Sequence, residues 1–503
     1  MPTRRDFLQL SAASALAGMA SAQNRAGRSK PNILFLMDDQ HRGDCLGVDG
    51  NRAVRTPVMD QLAAEGAYFR HAYSSTPSCT PARGGLLTGL SPWGHGQLGY
   101  GKVAEAYPFE KAKAMNAAGY HTYAIGKMHF APQRNAHGYQ GMLLDESGRE
   151  QSIDFRSDYR SWFYTEAPNL DPDATGIGWN DYPAGEYKLP ERLHPTRWIG
   201  DCAVRFLETY NRPEPFFLKV SFERPHSPYD PPARFMREFD DAPIPERVLG
   251  DWSDRYRERS SDRDDLWHGD LGAEQARHSR QGYYANIQFI DEQLGRILEA
   301  LHKRGWYEET LIIFFSDHGD MLGDHHLWRK CYAYEPSARI PMILRWPGGL
   351  AAGERGQVRD EPVEIRDVLP TFLDAAGAEA PEHLDGRSLL DLARGRADDW
   401  RRHIDLEHSI CYSPKNNWSA LTDGRWKYIY HALDGEEQLF DLSSDPGEES
   451  SLAGESTHTK TLAEWRGKLV DLFEQQGRGE PFLRNGKLSP RPGGVQYSPN
   501  YPT

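Results

Sequence analysis

The segment Pro31-Asn32-Ile33-Leu34-Phe35-Leu36-Met37 is a continuous apolar run that leads directly into Asp38-Asp39-Gln40. A run of this length, with no alternation of polar residues, predicts a strand buried on both faces, as in a parallel sheet. The two acids lie at its carboxyl end, where open α/β sheets bind ligands. Because adjacent carboxylates repel each other, this strand end predicts a site for a hard divalent cation, with a solvated acid pair as the alternative.

Three later predicted strands are also followed by polar or charged residues. These strands are Tyr120–Ile125, Phe216–Phe222 and Leu311–Phe315. Helical patterns separate them, and this alternation predicts a doubly wound α/β domain with a parallel or mixed sheet over residues 31–400. The polar residues that follow the strands are therefore expected to meet at one edge of the sheet. They are Lys127, His129, His226, Asp317 and His318.

A further stretch, Ser78-Cys79-Thr80-Pro81-Ala82-Arg83, runs on through an apolar segment to Thr88-Gly89. Pro81 suits the first turn of a helix, where a backbone N–H can be spared, so the stretch predicts a helix with Cys79 at its N-terminal end. That end of a helix stabilises a thiolate or a bound anion. Arg83 lies one turn further along the helix, so its side chain is placed on the same face as Cys79. The alternative interpretation of Cys79 is a small buried apolar residue.

These motifs, in this order, resemble the type I sulfatases of the alkaline phosphatase-like superfamily. The family signature C-x-P-x-R, followed by an apolar run and T-G, reads here Cys79-x-Pro81-x-Arg83 and Thr88-Gly89. The resemblance extends from about Pro31 to about Gln475 and implies an alkaline phosphatase-like α/β fold with a smaller C-terminal α+β subdomain. It also implies that a maturing enzyme oxidises Cys79 to formylglycine, whose hydrated aldehyde attacks the sulfur of a sulfate ester.

The resemblance also implies a role for each motif residue. The implied catalytic residues are Cys79, Arg83, Lys127, His129, His226 and Lys330. The implied ligands of one divalent metal ion are Asp38, Asp39, Cys79, Asp317 and His318. Lys127, Lys330 and His226 also bind the sulfate ester, with His226 protonating the leaving alcohol and His129 acting on the aldehyde hydrate. The implied ion is calcium, with magnesium as the alternative because the family has either asparagine or histidine at His318.

Two regions are expected to shape the substrate pocket. The loop Ser91–Gly96 carries Trp93 and His95, which we assign to substrate binding because such loops often determine specificity, with a packed tryptophan as the alternative. Residues 131–195 are irregular and rich in aromatic residues, Pro and Gly, and this pattern predicts an excursion over the face of the site rather than a domain.

The C-terminal part of the chain has a different pattern. Trp418–Thr422 and Arg425–Tyr430 flank an Asp-Gly pair, which predicts a β-hairpin. Glu437–Asp441 is a candidate third strand. We therefore predict an antiparallel-sheet subdomain over residues 401–480, followed by a Pro/Gly-rich tail over 481–503.

The N-terminus has the form of a targeting segment. Thr3-Arg4-Arg5-Asp6-Phe7-Leu8 matches the twin-arginine pattern, a mild apolar stretch follows, and Ala20-Ser21-Ala22 offers a cleavage site. We expect residues 1–22 to be a signal peptide that directs export to a bacterial periplasm or beyond. A chance Arg-Arg pair before an apolar stretch is the alternative.

Composition limits the partners of the protein. The net charge of −14 argues against nucleic acid or an anionic membrane as the main partner, although a few local cations are enough to bind an anionic substrate. No other stretch resembles a membrane span, and no pattern indicates the oligomeric state. The five cysteines are scattered and include no C-x-x-C pair, so they predict neither a disulfide framework nor a zinc site.

The expected function is hydrolysis of sulfate monoesters, with a sulfated carbohydrate as the expected substrate. An aryl or alkyl sulfatase of the choline type, and a phosphonate monoester or phosphodiester hydrolase of the same superfamily, are the alternative enzymes. A glycan-binding protein on this scaffold is the alternative without catalysis.

Overall fold

The computed structural model of the protein describes residues 30–146, 149 and 154–502. The predicted signal peptide, residues 1–22, lies outside this part of the chain. Within it, no helix combines the length and the apolar character needed to cross a bilayer.

The central feature is a mixed sheet of eight strands, in the order β5-β4-β6-β1-β7-β8-β2-β9. Strands β4, β6, β1 and β7 are mutually parallel, whereas β8 is antiparallel to both of its neighbours. The strands of the chain are β1 (Asn32–Asp39), β2 (Ala67–Phe69), β3 (Ala72–Tyr73), β4 (His121–Gly126), β5 (Gly141–Leu144), β6 (Phe216–Pro225), β7 (Thr310–Ser316), β8 (Met342–Arg345), β9 (Gln357–Arg359), β10 (Val363–Glu364), β11 (Ile404–His408), β12 (Trp418–Thr422), β13 (Trp426–His431), β14 (Glu437–Asp441), β15 (Leu483–Arg484) and β16 (Lys487–Leu488).

Helices cover both faces of this sheet. The α-helices are α1 (Pro57–Ala64), α2 (Cys79–Thr88), α3 (Pro92–His95), α4 (Lys111–Ala117), α5 (Asp158–Glu166), α6 (Pro195–Thr209), α7 (Ala233–Met236), α8 (Gly272–Lys303), α9 (Glu335–Ala338), α10 (Val368–Ala375), α11 (Leu389–Ala393) and α12 (Thr459–Gln475). The side chains of β1 alternate between two cores, as the period of a strand requires. Phe35 packs on one face with residues of α10, and Leu34 packs on the other with residues of α6 and α8.

A separate antiparallel sheet, in the order β11-β12-β13-β14, forms the C-terminal region. The predicted hairpin is β12 and β13, and the predicted third strand is β14. Strand β11 is a fourth strand that we did not predict from the sequence, since Ile404–His408 is only five residues long and contains two acidic residues. The chain after residue 480 adds a small hairpin of β15 and β16.

The excursion over residues 131–195 contains more regular structure than its composition predicts. It supplies β5, an edge strand paired with β4, and the nine-residue helix α5. Tyr159 and Phe163 of α5 are buried against Trp198 of α6, so tertiary packing stabilises a helix that local sequence does not reveal.

Candidate active site

Adjacent parallel strands bring the predicted polar residues together. Asp38 and Asp39 end β1, and Asp317 directly follows β7, its neighbour on one side. His226 directly follows β6 on the other side, and its backbone N–H donates to the carbonyl of Asp39 over 3.0 Å. Lys127 follows β4, the next strand along. The carboxyl ends of four neighbouring strands therefore form the floor of one site.

The position before Lys127 requires glycine. Gly126 has φ of +95°, and a Cβ atom there would lie 2.0 Å from the carbonyl oxygen of Ser221 in β6. The backbone N–H of Lys127 then donates to that same carbonyl over 2.8 Å. Glycine thus allows the strand to turn closely against β6 while the lysine side chain enters the site.

Helix α2 presents Cys79 to the site from its first residue. Ser78 is the extended N-cap residue, and the helix ends at Gly89, whose φ of +72° is the left-handed conformation that favours glycine. Cys79 is buried, at the positive end of the helix, as the sequence predicts.

Positive groups surround the Cys79 thiol. Its Sγ lies 3.2 Å from Nε2 of His318, 3.4 Å from Nζ of Lys330 and 3.8 Å from Nζ of Lys127. Burial and the carboxylate of Asp39 raise the pKa of this thiol, but the two ammonium groups and His318 outweigh them and lower its pKa to about 7. The position therefore favours an anion, whether a thiolate or a group that replaces it.

Arg83 binds two carboxylates of the site, those of Asp39 and Asp317. Its guanidinium donates to Oδ2 of Asp317 and to Oδ2 of Asp39, each over 3.0 Å, and to the carbonyl of Lys127 over 2.9 Å. Lys127 forms a second ion pair with Asp39. Burial acts to raise the pKa of Asp39, but Lys127, His226 and Arg83 hold it well below its usual range, so this carboxylate is ionised.

The carboxylates suit a divalent metal ion. Ligand atoms of Asp39, Cys79, Asp317 and His318 all lie within 4.8 Å of one another, and all four residues are buried. Asp38 binds His41 through Oδ2 over 2.7 Å, while its Oδ1 is buried without a hydrogen-bond partner in the described part of the chain. An unpaired buried carboxylate oxygen beside two further carboxylates fits the oxygen-rich coordination of a hard cation.

His226 is held so that one ring nitrogen faces the site. Its Nδ1 donates to the carbonyl of Ser227 over 2.8 Å, which leaves Nε2 to accept from Nζ of Lys330, also at 2.8 Å. The indole of Trp179 stacks on the imidazole with centroids 4.1 Å apart. Burial, and then the charges of Lys330 and Lys127, hold the pKa of His226 well below its usual value.

His129 lies in the same cationic neighbourhood. Its backbone has φ of +60°, and its N–H donates to Oε1 of Glu146 over 2.6 Å. Its Nδ1 accepts from the guanidinium of Arg149 over 2.6 Å. Burial, and then Arg149 and Lys127, keep the pKa of this imidazole well below its usual value, so the ring is neutral and can accept a proton.

Two predicted substrate-binding residues, Trp93 and His95, do not join this cluster of side chains. Trp93 packs edge-to-face on Phe482, with the guanidinium of Arg478 over its ring. His95 is buried behind α2, where it lies against the backbone of Gly84. Both side chains join the Ser91–Gly96 loop to the scaffold rather than to the site, because the C-terminal chain covers this loop.

Three further residues of the site were not predicted from the sequence. Gln40, directly after the two acids, accepts from Nζ of Lys330 over 2.8 Å. Trp179 and Arg149 come from the excursion over residues 131–195, and the Arg149 guanidinium lies 4.9 Å from the Trp179 ring centroid. The position of Gln40 beside Asp39 was a usable signal, whereas no motif marks the other two.

Comparison with known proteins places these motifs in one family. The model of the sulfatase family matches residues 31–378, and that of the C-terminal region of N-sulphoglucosamine sulphohydrolase matches residues 323–475. An arylsulfatase of Clostridium perfringens is 38% identical over 91% of this chain and 97% of its own length. A choline-sulfatase of Rhizobium meliloti is 32% identical (84% and 82% covered), and an N-acetylglucosamine-6-O-sulfatase of Bacteroides thetaiotaomicron is 26% identical (93% and 91% covered).

Solved structures agree on the fold. The phosphonate monoester hydrolase of Agrobacterium radiobacter superposes with a TM-score of 0.76 at 25% identity, over 92% of this chain and all of that one. The predicted alkaline phosphatase-like fold, with its large mixed sheet and small C-terminal antiparallel sheet, is confirmed.

Proposed function

Since this chain belongs to the sulfatase family and is a sulfuric ester hydrolase, we propose that it removes sulfate from sugar monoesters with a formylglycine made from Cys79. One divalent metal ion, calcium rather than magnesium, would complete the site. The observation that carries the proposal is the position of Cys79, which lies between three cationic or imidazole groups and a cluster of buried carboxylates.

The thiol sulfur of Cys79 occupies the place of the oxygens of the proposed formylglycine. When present, the formylglycine would supply a hydrated aldehyde as nucleophile, and the metal ion would supply Lewis acidity next to it. The residues that would hold the ion are Asp38, Asp39, Asp317 and His318, together with the modified Cys79.

The cations of the site bind the substrate. A sulfate ester is an anion, so an anionic nucleophile approaches it against electrostatic repulsion. Lys127 and Lys330, whose Nζ atoms lie 3.8 and 3.4 Å from the Cys79 sulfur, are placed to neutralise the sulfate oxygens. Because both lysines are buried, they act without competition from bulk water.

His226 is placed to hold the proton for the leaving alcohol at Nε2. In the free enzyme this nitrogen accepts from Lys330, and the low pKa of the imidazole leaves it neutral. A sulfate anion between the lysines offsets their charge and raises the pKa of His226, so substrate binding itself favours the acid form. His129, neutral and held by Arg149, is placed to accept a proton on the nucleophile side.

Removal of the metal ion tests the carboxylate cluster. We expect dialysis against a chelator to lower turnover by at least about 100-fold and added calcium to restore it, because a bound cation would supply Lewis acidity to this cluster of carboxylates. Asp317→Asn is expected to weaken calcium binding about 10- to 100-fold, measured by titration with elemental analysis. Asp398→Asn, at an exposed position, is the matched control. Full turnover by protein shown to be free of metal would contradict the proposal.

A cavity next to the site has a polar lining. Trp179, which stacks on His226, also lines a cavity of about 340 Å³. The charged side chains that line this cavity are Arg160, Asp173, Glu223, Arg224 and Asp230. An aromatic ring beside several hydrogen-bonding groups suits a sugar better than a hydrocarbon alcohol.

A substrate panel tests the sugar proposal. We expect turnover of at least one defined sulfated oligosaccharide, at a kcat/KM above that for a phosphate diester or a phosphonate monoester. Trp179→Ala should raise KM for that sugar about ten- to thirtyfold, and Trp179→Phe should raise it less, because an aromatic face is kept. A short alkyl sulfate that does not reach the ring serves as the control substrate. Release of sulfate from no sugar on the panel would remove the carbohydrate proposal.

A further inference from the structure

A second cluster of reactive side chains lies behind the active site. Cys331, His408 and Cys411 have ligand atoms within 4.8 Å of one another, and all three residues are buried. The two cysteines are 80 positions apart in the chain, yet their sulfur atoms lie 2.8 Å apart. Although the sequence predicts no disulfide framework, the fold brings this one pair together.

We propose that Cys331 and Cys411 form a disulfide that ties the segment carrying Lys330 to the C-terminal sheet. Non-bonded heavy atoms lie about 3.5–4.0 Å apart, so the sulfurs are already inside van der Waals contact. The S–S bond of a disulfide is about 2.05 Å long, so the two sulfur atoms need to approach each other by less than 1 Å. Two thiolates on a tetrahedral zinc ion, each about 2.3 Å from the metal, lie about 3.8 Å apart, so zinc would need the sulfurs to separate.

His408 prepares the pair for thiol chemistry. Its Nδ1 donates to the carbonyl of Ser409 over 2.6 Å, and its Nε2 lies 2.8 Å from the Ser78 hydroxyl oxygen. Burial acts to raise the pKa of Cys331, but the Cys411 thiol and His408 hold it well below its usual value. Cys331 is therefore the cysteine of the pair that provides the thiolate, the form that reacts with disulfides.

The reaction needs a disulfide oxidant, such as oxidised glutathione or an oxidoreductase that carries a disulfide. One protein thiolate displaces a thiol from the oxidant and forms a mixed disulfide, and the second protein thiolate then displaces the other thiol. The two protein sulfurs are thereby oxidised to one S–S bond. The oxidant takes up two electrons and two protons and leaves as two thiols. Because both cysteines are buried, we expect the exchange to occur while the C-terminal region folds onto the sheet.

The bond would fix a junction next to the substrate lysine. Cys331 follows Lys330, its N–H donates to the carbonyl of Pro77 over 2.8 Å, and its carbonyl accepts from the indole of Trp418 over 2.9 Å. Pro77 precedes the N-cap of α2, and Trp418 begins β12. A disulfide at Cys331 thus links the C-terminal sheet to the two segments that position Lys330 and Cys79.

The test is a digest without reductant of the full chain, purified without thiols and denatured in N-ethylmaleimide. We expect tryptic peptides 331–339 and 403–415 as one species, about 2 Da lighter than the two free peptides together, that separates on reduction. Cys411→Ser should abolish that species and lower Tm by about 3–5 °C, and a reductant should lower Tm similarly in the unmutated protein but not in the variant. Cys202→Ser, at a partly exposed cysteine, should change neither.

Two results would overturn the proposal. One is labelling of both cysteines in separate peptides after the denatured protein has been refolded in the presence of oxidised glutathione. The other is about one equivalent of bound zinc that Cys411→Ser loses. The peptide analysis uses the unmutated protein, so it decides the question even if a variant does not fold, and it does not depend on sulfatase activity.

Discussion

Cys79→Ser, in protein whose serine is left unmodified, is expected to lose at least about 10⁴-fold in turnover of any sulfate ester. The variant keeps a hydroxyl where the sulfur lies between Lys330, Lys127 and His318, but a simple alcohol cannot form an aldehyde hydrate. Asp38, Asp39, Asp317 and His318 are unchanged, so calcium binding should persist. Initial rates and metal content of the same preparation measure both effects.

The matching measurement on the unmutated protein is the mass of the tryptic peptide from His71 to Arg83. When the protein is produced together with a maturing enzyme, conversion of Cys79 to formylglycine should lower this mass by about 18 Da. Cys202→Ser, remote from the site, should keep both the mass shift and the activity. An intact Cys79 thiol in fully active protein would contradict the formylglycine proposal and leave the thiol itself as the nucleophile to examine.

His226→Ala is expected to produce the second large effect, and one that depends on the substrate. For a sulfate ester of a poor leaving group, such as an aliphatic sugar alcohol, turnover should fall about 10²- to 10⁴-fold, because the alkoxide then leaves without a proton. For an activated aryl sulfate, whose phenolate leaves unaided, the loss should stay within about tenfold. The comparison of kcat between the two substrates isolates the role of Nε2, the ring nitrogen that faces Lys330.

The substrate dependence separates proton donation from a structural role. Loss of the stack between Trp179 and His226, or a shift of Lys330, would slow both substrates to a similar extent. Equal losses on the two substrates would therefore remove the leaving-group assignment. His458→Ala, at a partly exposed position of the C-terminal region, is expected to leave both rates unchanged.

The sequence predicts the floor of the site well because that floor depends on strand ends. Asp39, Lys127, His226 and Asp317 each lie at the carboxyl end of a predicted strand, and parallel strands bring such positions to one edge. The helix that begins at Cys79 was predictable for a similar reason, since Pro81 and Gly89 mark its first turn and its end. Short, local sequence patterns are therefore enough to predict these features.

The remaining features depend on contacts between distant parts of the chain. Trp93 and His95 were predicted to line the pocket because of their loop. Phe482 and Arg478, which come from the C-terminal part of the chain, cover that loop, and no local pattern predicts this contact. Trp179 is the opposite case. It lies in an irregular segment that carries no motif, yet long-range packing places its ring on His226. Their positions follow from long-range packing, which residue spacing does not encode.

The strand ends that form the floor of the site and the Trp179 side chain come from different parts of the chain, and this matters for redesign. The floor is built from central strands that are buried on both faces, so substitutions there disturb the core as well as the chemistry. Trp179 comes instead from a surface excursion between β5 and α6. A combinatorial library confined to residues 170–190 could therefore diversify the alcohols that the enzyme accepts while the core strands and their charged ends stay intact.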